Sequence, residues 1–266
     1  MTLVAIIFGT LVAGIGSVWL AAALSFGVLA KYTQHMLSLA AGALLATAFM
    51  HLLPEAFEGQ ASPHELFAAL LVGLVFFFLL DKAELWHHGH EHGAGHLHGH
   101  EHSHEPHDHA HAQASKSGGW AVLAGDSVHC FGDGILIASA FMADMRLGIV
   151  ASLAVLAHEV PHHMGDLVVL SQSSNNNRRA AIVKVSLAGA VTALGGVLGY
   201  LLVEQLYDFL PFFLILASSS FMYVALADLI PQLQKRLGPR ETAAQIAWLF
   251  AGIGLVTLIS GVAHAH

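Results

Sequence analysis

Eight apolar segments divide this chain, at residues 3–29, 36–53, 64–85, 120–142, 147–170, 180–203, 209–233 and 242–262. A helix rises about 1.5 Å per residue, so about 20 residues cross a hydrocarbon layer about 30 Å thick. Inside that layer backbone N–H and C=O groups have no water to bond, so a crossing segment must be a helix or a barrel strand. No strand-type alternation of apolar and polar residues runs through these segments, which argues against a barrel. The chain is 56% hydrophobic and 11% charged, where soluble domains are about 25% charged, and its mean hydropathy is +0.66. The expected fold is therefore all-α and integral to a membrane, with eight transmembrane helices in one domain over residues 1–266. The opening MTLVAIIFGT lacks a basic stretch and reads as a retained first span rather than a cleaved leader. Cys130 is the single cysteine, so no intrachain disulfide forms. Few Lys and Arg residues argue against a nucleic-acid partner.

Histidine is the second unusual feature, at 21 of 266 residues. Twelve of them fall in HHGHEHGAGHLHGHEHSHEPHDHAH, residues 87–111, between the third and fourth segments. Nothing in that stretch can build a core, so a disordered, metal-binding loop is expected over 87–118. Nine of the ten Lys and Arg residues lie in or beside the loops after segments one, three, five and seven, and only Arg146 lies in the others. The excess of basic residues marks the cytoplasmic side. Both termini are thus expected outside and the His-rich loop inside the cytoplasm.

Ionisable groups cost about 2.5–3.5 kcal/mol each at the centre of a membrane helix, yet segments four and five carry many. Segment four has Asp126, His129 and Asp133, with Cys130 beside them, and segment five has His158, Glu159, His162, His163 and Asp166. At 3.6 residues per turn, His129 and Asp133 share a face, as do His158, His162 and Asp166, while Glu159 and His163 make an adjacent row. Two such helices facing each other offer imidazole and carboxylate from several directions, a set suited to Zn²⁺ and other first-row divalent ions. A polar packing network or a proton relay is the competing use of the same residues. Cys130 is a candidate ligand or a small apolar residue, and Asp126 is a candidate partner behind the ligands. Pro161 removes one N–H from segment five, so an interrupted helix of the kind transporters use for ions is expected there.

HLLPEA, from His51 to Ala56, closes segment two, and DLIPQL, from Asp228 to Leu233, closes segment seven. Each has a polar residue three before its proline and another just after it. At opposite faces of the membrane, the two would belong to an inverted repeat of spans 1–3 and 6–8 around spans 4–5. In that arrangement His51 and Glu55 are candidates to receive an ion outside, and Asp228 to pass it on inside.

Segments four and five read HCFGDG, from His129 to Gly134, and HEVPHHMGD, from His158 to Asp166. They resemble the HNFxDG-like and HExPHExGD motifs of the ZIP family of divalent-metal transporters, in its histidine-rich branch. FMHLLPEA, FMYVALADLIP, eight spans and a His-rich loop after span three are similar to the family too, so the resemblance covers nearly the whole chain. It implies a binuclear site between spans four and five, with His129, His158 and His162 as primary ligands and Glu159 bridging or in the second site. Cys130 stands where the family usually has Asn, and His163 where this branch has Glu. Both departures bear on metal selectivity, since thiolate favours softer ions and a lost carboxylate lowers the negative charge. Span six offers only Thr192 and Ser186, where some members supply a carboxylate.

The expected activity is transport of Zn²⁺ as substrate into the cytoplasm, with Fe²⁺, Mn²⁺ and Cd²⁺ as further candidate ions, and neither catalysis nor an organic cofactor. The resemblance also implies a homodimer, and spans 1–3 and 6–8 rearranging against spans 4 and 5. Short length and short loops favour a prokaryotic plasma membrane. One alternative is an intramembrane zinc protease, because His158 to His162 match H-E-x-x-H, with Asp133 as a third ligand. Another is a cation-diffusion exporter, although such proteins usually have six spans and a cytoplasmic domain after them. A metal sensor or storage protein would explain the loop but not the intramembrane residues.

Overall fold

The computed structural model describes residues 1–25, 33–89, 118–173, 177–234 and 237–264. Among these residues every regular element is helical. Helix α1 covers 2–25, as Thr2–Leu11, a π-helical stretch Val12–Gly16, and Ser17–Ser25. Helix α2 covers Thr33–Phe57 with a π-helical stretch at Ala48–Leu52. Helices α3 to α6 are Pro63–Gly89, Gly118–Ala143, Met145–Ser173 and Arg178–Gln205. Helix α7 runs from a 3₁₀ turn at Tyr207–Phe209 to Leu233, with a π-helical stretch at Val224–Leu229, and α8 is Pro239–His264.

Local sequence sets several starts. Ser62 and Glu65 form a reciprocal capping box ahead of α3, with the Ser62 backbone N–H donating to Glu65 at 2.9 Å. Asp144 alone separates α4 from α5, and its carboxylate accepts from the N–H groups of Arg146 and Leu147. Asn177 caps α6 by accepting from Ala180 N–H. Residues 87–89 continue α3 and residue 118 begins α4, so the segment expected to be disordered is trimmed at both ends. The remainder of it, 90–117, lies outside the described residues.

Among the described residues six helices, α1, α2, α3, α6, α7 and α8, are long and apolar enough to cross a membrane, and the chain is a multi-pass all-α membrane protein. Helices α4 and α5 have 26 and 29 residues, about 39 and about 44 Å at 1.5 Å per residue, and they carry the polar clusters. Within its apolar window α2 is 67% buried, whereas α3 and α8 are 17% and 11% buried, so α2 is central and those two are peripheral.

The helices sort into two groups. Helices α1, α4, α5 and α6 all pack on one another, while α8 packs on α2 and α3 packs on α7. The groups meet where α2 lies on α5 and α7 on α4. Helices α1 and α6 therefore pack with α4 and α5. Small residues make the seams, as expected where lipid supplies no hydrophobic drive between helices. A Cβ on Gly134 would strike the Thr192 carbonyl and the Gly196 N–H of α6. Likewise, a Cβ on Gly14 of α1 would strike the Gly189 carbonyl and Thr192 of α6.

Helix α5 stays continuous through Pro161, contrary to the expected interruption. A proline deletes one N–H, and α5 as a whole is packed by α1, α2, α4, α6 and α8.

Candidate metal centre

The α4–α5 pairing turns the polar rows toward each other. Ligand atoms of His129, Asp133, His158 and Glu159 lie within 4.8 Å of one another. His129 Nε2 is 3.3 Å from Glu159 Oε1 and 3.4 Å from His158 Nε2, and His158 Nε2 is 3.3 Å from Asp133 Oδ2 and 3.4 Å from Glu159 Oε1. His129 to Asp133 is 3.9 Å, and the sixth pair, Asp133 and Glu159, lies within 4.8 Å. Tetrahedral zinc with bonds of about 2.0–2.1 Å has ligands about 3.3–3.4 Å apart. The four side chains thus stand near the corners of a zinc-sized tetrahedron.

A second group, Asp126, Cys130, Glu159 and His163, shares Glu159 with the first. His163 Nε2 lies 3.0 Å from Glu159 Oε2 and 3.5 Å from Asp126 Oδ1, and the Cys130 thiol points at Asp126 Oδ1 from 3.7 Å. A third group, Asp126, His162 and Asp166, shares Asp126 with the second. There His162 Nε2 is 3.6 Å from Asp166 and 3.9 Å from Asp126. The groups form a ladder, with Glu159 and Asp126 as its common rungs. His162 is the most open member, with its side chain 41% exposed, and His129 follows at 28%, whereas His163, Glu159 and Asp126 are buried.

The electrostatics favour a cation. Oxygens of Asp126, Asp133, Glu159 and Asp166 are buried without hydrogen bonds. Burying carboxylates in that state costs several kcal/mol each unless positive charge is supplied. Outer contacts set the imidazoles. The Ala154 carbonyl can only accept, so His158 donates Nδ1–H to it at 3.3 Å and keeps the Nε2 lone pair for the first group.

Of the residues predicted from sequence, His129, Cys130, Asp133, His158, Glu159, His162, His163 and Asp166 all fall in these groups, and Asp126 joins two of them. His162 stands with Asp126 and Asp166 rather than with His129 and His158, although its ring centroid is 5.6 Å from that of His129. His51, Glu55 and Asp228 belong to none of the three. Glu55 has Glu58 and Asp144 as its charged neighbours, and Asp228 accepts from Gln232 at 2.9 Å. Sequence reasoning passed over Ser17 of α1, which reaches His163 Nδ1 at 3.0 Å. One serine inside an apolar span is too common a feature to single out.

The family model described as the ZIP zinc transporter matches residues 84–260, more than half of the chain. Zinc transporter ZIP13 of Danio rerio is 32% identical over 155 residues, 54% of this chain and 42% of that protein. Zinc transporter ZIP13 of Pongo abelii is 27% identical over 249 residues, 87% of this chain and 68% of that protein. Zinc transporter ZIP4 of Homo sapiens is 34% identical over 142 residues, 53% of this chain but 21% of the human protein. In the first and third of these matches the chain therefore spans less than half of its relative's length. With the matched stretch running from the end of α3 to α8 and enclosing the whole ligand ladder, the chain belongs to the ZIP zinc transporter family.

Proposed function

We propose that this chain carries Zn²⁺ across a lipid bilayer and into the cytoplasm, handing it along the α4–α5 ladder. The observation that carries this reading is the sharing of Glu159 and Asp126 between successive ligand groups. Ions held in groups with a common ligand can exchange without returning to water, which a single hydrolytic centre has no need of. Eight spans are part of the proposal. Helices α4 and α5, of 26 and 29 residues, are long enough to cross beside the six apolar spans of 20 to 28 residues, and their polar faces meet each other inside the bundle.

Helix packing supports an inverted repeat. Exchanging α1 with α6, α2 with α7, α3 with α8 and α4 with α5 preserves the pairs: α2–α8 becomes α7–α3, and α2–α5 becomes α7–α4. The π-helical stretches of α2 and α7 hold His51 and Asp228, and each ends two residues before a proline, Pro54 or Pro231. The two motifs fall at opposite ends. Glu55 neighbours Asp144 at the α4–α5 turn, whereas Asp228 lies near Tyr223, which donates to Asp81 of α3 at 3.0 Å. The basic-residue bias puts the Asp228 end in the cytoplasm, with both termini outside. His51 and Glu55 then stand by the outer mouth and Asp228 by the inner one. Access would alternate as the group of α1, α4, α5 and α6 shifts against the other four.

The protease alternative loses its basis in the ligand placement. It requires His158 and His162 on one zinc, whereas His158 stands with His129, Asp133 and Glu159, and His162 with Asp126 and Asp166. Family membership likewise replaces the cation-diffusion reading. Fe²⁺, Mn²⁺ and Cd²⁺ remain candidate ions, and a homodimer in a prokaryotic plasma membrane the candidate setting. The test is radiolabelled zinc uptake into proteoliposomes, with those ions as competitors. Wild-type protein should accumulate zinc and His162→Ala should be impaired; equal uptake by the two would remove the ladder from the pathway.

A further inference from the structure

We infer that Ser17 of α1 is a positioning residue for a thiolate-bearing metal site, holding His163 in the tautomer that ligates beside Asp126, Cys130 and Glu159. The inference rests on the transport reading and adds to it a residue of α1, outside the three ligand groups, that sets the donor of one of them.

The hydrogen bonds are directional. Ser17 Oγ–H donates to the Gly14 carbonyl within α1. Its one proton is thereby used, so towards His163 the oxygen acts as an acceptor. His163 Nδ1, 3.0 Å away, must carry the hydrogen of that contact. Nε2 then presents its lone pair to the inside of the group. There it meets Glu159 Oε2 at 3.0 Å and Asp126 Oδ1 at 3.5 Å. Three acceptors converging in a buried space repel one another until a cation sits among them. A proton on Nε2 would answer the same need, and the experiment below separates the two.

Burial sharpens the point. Ser17 and His163 are both 0% exposed, Glu159 and Cys130 are 1%, and Asp126 is 5%. Water cannot stand in for the missing bonds to Asp126 Oδ2, Glu159 Oε2 and His163 Nε2 without entering the group itself. Cys130 supplies sulfur, which distinguishes this group from the first and third, whose donors are nitrogen and oxygen. On binding, the thiol proton leaves to bulk water and the thiolate takes the metal. Sulfur ligation selects softer ions over Mn²⁺ and Mg²⁺.

Ser17 is placed by the fold and not by chance contact. The Gly14–Gly189 seam draws α1 against α6, and α1 in turn packs on α5. The π-helical stretch Val12–Gly16 ends at the residue before Ser17, and such stretches often accompany functional positions.

The test is Cd²⁺ binding to the purified full chain in detergent, followed by the sulfur-to-cadmium charge-transfer absorption. Wild-type protein should show that band, and Cys130→Ser should lose it while still binding an ion at the first group. Ser17→Ala should weaken Cd²⁺ binding at the sulfur site about ten- to a hundredfold, the usual effect of removing a partner behind a metal ligand. Ser17→Thr keeps the oxygen and should behave as wild type, whereas Ser17→Val, of equal size, should behave as Ala. The Thr and Val pair keeps the comparison valid if Ala disturbs packing. Absence of the band in wild type overturns the inference, as does equal affinity in the Thr and Val variants. Zinc uptake by the same wild-type preparation in proteoliposomes is read in parallel. No uptake sinks the transport reading, whereas uptake without a Ser17 effect sinks only this one.

Discussion

Glu159 turns its two oxygens toward different histidines, Oε1 to His129 and His158 and Oε2 to His163. A carboxylate divided in this way can serve both groups at once. Glu159→Gln keeps the shape but drops the charge, so initial zinc uptake should fall by more than about a hundredfold. Asp166→Asn touches only the third group and should cost about tenfold, both figures scaled from the effects of removing metal-site residues. If Glu159→Gln transports at the wild-type rate, the shared-ligand ladder is wrong. His163→Glu restores the carboxylate of the histidine-rich branch. It should raise Mn²⁺ uptake relative to Cd²⁺ in a competition assay, because it exchanges nitrogen for a harder oxygen donor. The candidate ligands were legible at this scale because ionisable residues in an apolar run are costly and stand out. Their grouping was not. Helical rows put His158, His162 and Asp166 on one face, whereas the approach of α4 sets Asp126 near His162 and His163 and groups His162 with Asp166.

Between elements, glycine spacing governs how near the helices come. Gly134→Val should separate α4 from α6, since its added atoms meet the Thr192 carbonyl and Gly196 backbone, which cannot rotate away. Overpacking costs about 1–3 kcal/mol where side chains can adjust, and a cost at or above that range is expected here. Gly132→Ala, two residues earlier, has open space for its Cβ and should leave stability unchanged. Thermal unfolding in detergent compares the two; similar losses in both would contradict the seam. Runs of apolar residues located the eight long helices among the described residues, each within a few residues of its segment. The continuous helix through Pro161 could not be read locally, because α5 sits among five other helices.

For the molecule as a whole, the proposed inverted pairing of the two helix groups would put ion access at opposite ends. Deleting 90–111, which spares the helical residues 87–89, should leave basal zinc uptake largely intact, with complete loss arguing that the His-rich segment is part of the path. Sidedness follows from single cysteines in a Cys130→Ser background. Ser62→Cys should react with an impermeant maleimide from outside intact cells, and Gly238→Cys only after permeabilisation. The reverse pattern would invert the proposed orientation.

Sequence alone determined that the chain is helical and membrane-embedded, because unpaired backbone groups are intolerable in hydrocarbon and the apolar segments have the length of a bilayer crossing. It also determined which residues are candidates for metal, because charge in that setting is expensive without a purpose. Tertiary structure decided the rest. Residues far apart along the chain, such as Ser17 and His163, meet only through the α1–α5 packing. The separation of α1, α4, α5 and α6 from the other four helices is set by small-residue seams, whose partners no single segment reveals.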